Sequence, residues 1–240
     1  MGMLCSQLGN ETFPTREYLA SRNLIGNPKR LFFNLNVIID SLLEKPLEQN
    51  MEIIKTPIDG LLIIEPRIFT DPRGYFFESF SQREFDEKVG PIVFVQDNES
   101  KSSYGVMRGL HFQRPPYTQS KLVRCVKGAV LDVAVDIRKG SPTYGQHTAV
   151  ELTEDNHRQF FIPKGFAHGF AVLSETAVFQ YKCDEFYHPE ADGGISILDD
   201  SLGIDWRISL DKAILSDKDT KHPLLKGFDS PFDIKFDLYK

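Results

Sequence analysis

Four segments place polar, chemically capable side chains in otherwise strand-like sequence: Asp71-Pro72-Arg73-Gly74-Tyr75-Phe76-Phe77-Glu78, Val95-Gln96-Asp97-Asn98, Arg108-Gly109-Leu110-His111-Phe112-Gln113, and Pro163-Lys164-Gly165-Phe166-Ala167-His168-Gly169-Phe170. An unperturbed histidine titrates at about pH 6.5, which suits general acid-base work at neutral pH. Successive side chains of an extended chain point to opposite faces, so His111 and Gln113 share one face while Leu110 and Phe112 take the other. By the same rule Ala177, Phe179, Tyr181 and Cys183 share a face, which directs the Tyr181 hydroxyl toward an apolar interior. Arg73, Arg108 and Lys121 are candidate phosphate-binding cations. Each residue also has a plain structural reading. Strand histidines are commonly hydrogen-bonded core or surface groups, strand tyrosines commonly pack with the hydroxyl at a rim, and the cations are commonly solvated.

The elements that must position these groups are short strands. Leu131, Val133, Val135 and Ile137 alternate with Asp132, Ala134, Asp136 and Arg138, the period of a half-buried strand over 129–138. Further runs fall at 92–96, 121–126, 148–152, 160–162, 169–173 and 177–183. Turn formers separate them, among them Lys127-Gly128, Gly140-Ser141-Pro142 and Pro163-Lys164-Gly165. Many short strands at this spacing predict an all-β sandwich or barrel, of which the jelly roll encloses a pocket. A short helix is expected around Ser216-Asp217-Lys218-Asp219. Residues 1–50 differ: Leu31, Leu35, Ile38 and Leu42 recur at helical spacing and Pro46 follows, which predicts a helical extension ahead of a domain spanning 51–240.

Composition excludes several classes of function. The 240 residues are 41% hydrophobic and carry a net charge of -6, with a pI near 5.6, so no basic surface is indicated for a nucleic acid partner. The most apolar N-terminal run, Leu31 to Leu43, is too short to span a bilayer, which needs about 20 apolar residues, so no membrane partner is expected. Cys5, Cys125 and Cys183 are odd in number and lack CxxC spacing, as expected of a reduced, cytoplasmic protein.

Taken together the motifs are more specific than any one of them. Asp71-x-Arg73-Gly74, Val95-Gln96-Asp97-Asn98, Arg108-Gly109-Leu110-His111-Phe112-Gln113, Lys121-Leu122-Val123-Arg124 and Asp132-Val133-Ala134-Val135-Asp136 occur in order. Ile162-Pro163-x-Gly165-Phe166-Ala167-His168-Gly169, Tyr181-Lys182, Gly203-Ile204-Asp205-Trp206 and Leu215-Ser216-x-Lys218-Asp219 continue them. In that order they closely resemble the dTDP-4-dehydrorhamnose 3,5-epimerase family over about residues 53–225. The resemblance implies a cupin-like jelly roll that needs no cofactor and inverts carbons 3 and 5 of dTDP-4-dehydro-6-deoxy-D-glucose, giving dTDP-4-dehydro-L-rhamnose. It leaves open inversion at carbon 3 or carbon 5 alone.

Roles follow from the resemblance residue by residue. It implies His111 as the base, Asp219 as the carboxylate that fixes its tautomer, Tyr181 as the acid on the opposite sugar face, and Lys121 as the cation that meets the enolate. His168 adds a hydrogen bond nearby. Arg73 and Arg108 match phosphate and sugar contacts. Glu78, Gln96 and Asn98 match nucleotide-recognition positions, Tyr187 a base-stacking position, and Lys218 a further substrate contact. Asp192 stands where the family usually has a glutamate, and Phe161 and His147 where it often has tryptophan. The partner is a dTDP-linked 4-keto-6-deoxyhexose, bound by a homodimer with a shared nucleotide site. A metal-dependent cupin is the rival reading. It is disfavoured because His111-Phe112-Gln113 lacks the second histidine of the usual ligand pair, leaving His111 and His168 to converge without a carboxylate.

Overall fold

Chain segments with period-two alternation pair, in the computed structural model, into two antiparallel sheets packed face to face. The structure describes residues 51–235 and 237–239, so the helix expected over 31–43 and the extension at 1–50 lie outside the described residues. One sheet has six strands in the order β1 (Met51–Lys55), β2 (Leu62–Pro66), β10 (Gln159–Ile162), β7 (Lys121–Lys127), β12 (Thr176–Cys183) and β5 (Gln96–Ser103). The other has five, in the order β13 (Asp192–Gly194), β6 (Met107–Gln113), β11 (Phe166–Val172), β8 (Ala129–Asp136) and β9 (His147–Thr153). A separate hairpin joins β3 (Phe69–Asp71) to β4 (Gly74–Phe76). This is the jelly-roll sandwich expected, with short helical pieces: α1 (Gln82–Lys88) and 3-10 turns such as Asp219–Lys221.

The chain repeatedly changes sheet. Between β7 and β8 it crosses at Gly128, whose φ is +77°. A Cβ there would lie 2.2 Å from the Thr176 carbonyl oxygen, so no other residue fits. Three apolar clusters hold the layers. Phe160, Phe170, Phe179 and Val123 fill the space between the sheets. Leu131, Val133, Val135 and Ile137 pack outside the five-stranded sheet under Ile195, Ile197, Trp206 and Phe232 of the C-terminal segment. Phe85 of α1, with Ile92 and Phe161, covers the outside of the six-stranded sheet.

Three expectations need correction. The 129–138 strand is buried on both faces, not one, because the C-terminal segment covers its outer side chains. Its polar inner residues are buried with partners: Asp132 faces His168 and Asp136 faces Arg138. The strand expected at 92–96 instead begins at Gln96 and runs through the wholly polar QDNESKSS. Edge strand β5 needs only backbone pairing with β12, and its inward residues border a polar cavity, so neither face demands apolar side chains. The helix expected at 216–219 forms three residues later, as the Asp219–Lys221 turn.

Candidate active site

Strand β6 sets the inner face of the site. Met107, Leu110 and Phe112 belong to the outer cluster, while Arg108 and His111 line the cavity between the sheets. Strict alternation cannot place 108 and 111 on one face. A bulge does so, because the register of β6 against β11 slips by one residue between the pairs His111–His168 and Arg108–Phe170. Gly109 lies in that slip at φ +129°. A Cβ on it would come 2.6 Å from the Gly169 Cα, so the two backbones touch where side chains are absent.

The cavity, roughly 510 Å³, takes His111 and His168 from the five-stranded sheet and Lys121, Phe179 and Tyr181 from the six-stranded sheet. Ser216, Lys218 and Asp219 close one side. A second chamber of roughly 360 Å³ shares His111, Lys121, Tyr181 and Lys218 with it and is bordered by Gln96, Asn98, Gln113, Tyr187 and Asp192. One long groove results, of a size suited to a small-molecule ligand.

Two histidine–carboxylate pairs stand side by side in it. His111 Nε2 is 2.5 Å from Asp219 Oδ1. Burial acts to raise the Asp219 carboxyl, but the hydrogen bond and charge of His111 and the Ser216 hydroxyl outweigh it and hold Asp219 below its ordinary value. An ionised Asp219 accepts from Nε2–H and leaves the Nδ1 lone pair of His111 as the basic site. His168 Nε2 lies 3.0 Å from both carboxylate oxygens of Asp132. Burial pushes His168 down, so this imidazole is neutral at pH 7 and donates to Asp132. Burial also pulls the Asp132 carboxyl up, against the opposing His168 and Lys121. The Lys121 ammonium is pushed down by burial, with Cys183, Asp132 and Asp192 opposing. Across the cavity, burial raises the Tyr181 hydroxyl, which stays protonated at neutral pH.

At the mouth, the Tyr187 backbone N–H donates to Gln96 Oε1 at 3.1 Å, and Gln96 Nε2 donates to Asn98 Oδ1 at 2.9 Å. Asp192 pairs with Lys218 and sits 3.5 Å from the Tyr187 hydroxyl, so its shorter carboxylate is occupied by this chain's own side chains. Gln113 ties two mouth loops together, donating to the Tyr117 and Phe186 carbonyls and accepting from the His188 N–H. Phe161 is a packing residue, meeting Phe85 edge-on at 5.4 Å. His147 opens β9 opposite Val135.

Two expected site residues are elsewhere. Arg73 sits on the β3–β4 hairpin with its side chain 89% exposed and paired to Asp71. Glu78 borders a small recess beside Phe80 and Phe85, away from the groove. Two residues were not singled out from sequence: Asp132, inside a regular alternation, and His222, whose ring meets that of His111 edge to face. Spacing gives no signal for either, since their partners are 36 residues away and on another element.

Comparison with known proteins adds names to this geometry. The family described as dTDP-4-dehydrorhamnose 3,5-epimerase matches residues 55–227. A protein of that name from Escherichia coli K12 is 55% identical over 172 residues, covering 71% of this chain and 92% of the relative. One from Methanothermobacter thermautotrophicus is 54% identical over 167 residues, 69% of this chain and 90% of the relative. The crystal structure of a dTDP-6-deoxy-D-glucose-3,5-epimerase from Legionella pneumophila, in complex with dTDP-4-keto-L-rhamnose, is similar at 53% identity and a TM-score of 0.72. It covers 75% of this chain and 95% of that one.

Proposed function

The chain belongs to the dTDP-4-dehydrorhamnose 3,5-epimerase family, and from that premise we propose how its own residues carry out the reaction. The protein is an isomerase that epimerises carbons 3 and 5 of dTDP-4-dehydro-6-deoxy-D-glucose to dTDP-4-dehydro-L-rhamnose. The ketone at carbon 4 acidifies the hydrogens on both neighbouring carbons. His111 Nδ1 takes the proton, the C–H electron pair moves into an enolate, and the imidazolium is stabilised by Asp219. Lys121 faces the oxygen that gains charge. Tyr181 then returns a proton to the opposite side of the same carbon, and exchange with solvent resets both side chains. A single base returning its own proton would restore the starting configuration, so inversion needs groups on both faces.

One observation carries this reading: His111 and Tyr181 line the same cavity from different sheets. A sugar between the sheets is flanked by a base on one side and a protonated phenol on the other. Arg108, His168, Lys218 and the Gln96–Asn98–Tyr187–Asp192 mouth are the substrate contacts. Arg73 and Glu78 reach the nucleotide from a second copy of the chain, in a homodimer. The β3–β4 hairpin that carries Arg73 supports this, because Tyr75 is 61% and Phe76 70% exposed there, an apolar surface suited to a partner. Residues 51–240 act as the catalytic domain and 1–50 as an extension outside the family match. The expected compartment is the cytoplasm, consistent with free cysteines at Cys125 and Cys183. Among the described residues, no helix is long and apolar enough to cross a membrane.

The test is incubation with the substrate in deuterated water, with NMR of carbons 3 and 5. The wild-type protein is expected to deuterate both, and His111→Ala to deuterate neither while still binding dTDP. Exchange at either carbon in the variant would mean that a second base exists.

A further inference from the structure

His222 takes no part in the proton transfers above, yet it is held against the His111–Asp219 pair. Its ring meets that of His111 at 5.5 Å between centroids and 72° between planes. Its Nε2 is buried and has no hydrogen-bond partner among the described residues, and it lies 3.9 Å from Asp219 Oδ1. Gly194 of β13 makes the room, since a Cβ there would fall 2.6 Å from that nitrogen. One donor atom from each of His111, Asp219 and His222 thus lies within 4.8 Å of the other two.

Two imidazoles and a carboxylate are the donors that borderline divalent ions prefer, and three protein ligands with one open position make a common zinc geometry. Bonds of about 2.1 Å in a tetrahedral site set donors about 3.4 Å apart. The His111–Asp219 contact of 2.5 Å must open by about 0.9 Å, the 3.9 Å gap to His222 must close by about 0.5 Å, and the two histidine donors, within 4.8 Å of each other, must close by at most about 1.4 Å, within the reach of small side-chain rotations. We propose that His111, Asp219 and His222 form an inhibitory site for a divalent transition-metal ion, Zn2+ above all, which disarms the base from behind. This is not the pair considered from sequence: His168 is committed to Asp132, whereas the second histidine comes from the C-terminal segment.

The chemistry of inhibition is a tautomer change. An ion on Nε2 takes the position of the proton that Asp219 holds there. The neutral ring's one proton then resides on Nδ1, so the lone pair that attacks the substrate is lost and no net proton is released. The contacts from Arg108 and the mouth are untouched, so substrate still binds and kcat falls without a rise in KM. Loss of turnover rests on His111 being the base, whereas capture of the ion does not.

The experiment uses the full chain without a polyhistidine tag, stripped with a chelator. Titration with Co2+ is expected to give the visible absorption of a four-coordinate ion, saturating at one equivalent per chain and displaced by Zn2+. In parallel, Zn2+ should lower kcat at constant KM, and EDTA should restore it. His222→Gln should keep its turnover in the absence of metal, lose the cobalt absorption, and need at least about tenfold more Zn2+ for half inhibition, since even outer-shell changes weaken metal sites by that order. No cobalt absorption in the wild-type protein, or equal Zn2+ sensitivity in the variant, overturns the site. Cobalt absorption that depends on His222 while turnover continues would keep the site and instead overturn His111 as the base.

Discussion

Tyr181 and His111 differ in how they are prepared for their tasks, and Tyr181 offers the sharper test of the two-sided mechanism. Burial keeps its phenol protonated, and Phe179 on the same face packs 6.2 Å away, ring to ring. Tyr181→Phe removes the hydroxyl and leaves that packing. Proton abstraction by His111 should persist, so the variant should still wash solvent deuterium into the sugar. Formation of the inverted product should fall by roughly 100- to 10,000-fold, the usual contribution of a general acid or base. Measuring exchange and product together decides it, since a parallel fall in both would make Tyr181 a positioning group. His111, Tyr181 and Lys121 stand out in the sequence because histidine, tyrosine and lysine are conspicuous in apolar alternation. Asp132 and His222 do not, because a carboxylate or imidazole gains its meaning from a partner on another strand.

At the scale of elements, the turn after β8 is itself held together by one buried carboxylate. Asp136 accepts from Arg138 at 2.7 Å, Ser141 at 2.6 Å and Thr143 at 2.7 Å. Burial acts to raise its carboxyl, but these donors outweigh it and hold it below the ordinary value of 3.8. A carboxyl depressed on folding stabilises the fold fully above its unfolded value, and the contribution is lost as pH falls through the folded one. Wild-type stability should therefore fall steeply with pH below about 4. Asp136→Asn should cost roughly 3–5 kcal/mol at pH 7, because it leaves Arg138 buried without its counter-charge, and should flatten that acid limb. Urea unfolding at pH 7, 5 and 3 checks both; an unchanged acid slope would mean that other carboxylates dominate it. The spacing of Asp136 and Arg138 was visible in sequence as an alternation, and read as half-buried. Only the folded chain makes it a buried pair, with Arg138 lying 4.5 Å from the Phe166 ring and donating to the Asp59 carbonyl.

For the whole molecule, the question is whether the site is completed by a second chain. If Arg73 acts across the dimer, Arg73→Ala and His111→Ala lie in different chains of a given site. Each homodimer should be impaired at low substrate concentration. After denaturation and joint refolding, half the dimers are mixed, and each holds one intact site, so activity should return to about a quarter of wild type. No recovery, with mixed dimers demonstrated by differential tagging, would place Arg73 in its own chain's site or outside the site altogether.

What the sequence determined by itself was the set of strands whose two faces differ, the turns between them, and the order of motifs from Arg73 to Asp219. These are local or linear properties, fixed by side-chain alternation, by backbone sterics at residues such as Gly128, and by residue identity. It could not determine β5, whose polar faces carry no period, nor the slip at Gly109 that brings Arg108 and His111 to one surface. Nor could it pair Asp132 with His168 or bring His222 up to His111. Those depend on which strands become neighbours and which segment covers them, and hydrogen bonding and packing between distant parts of the chain settle that only when the two sheets close on each other.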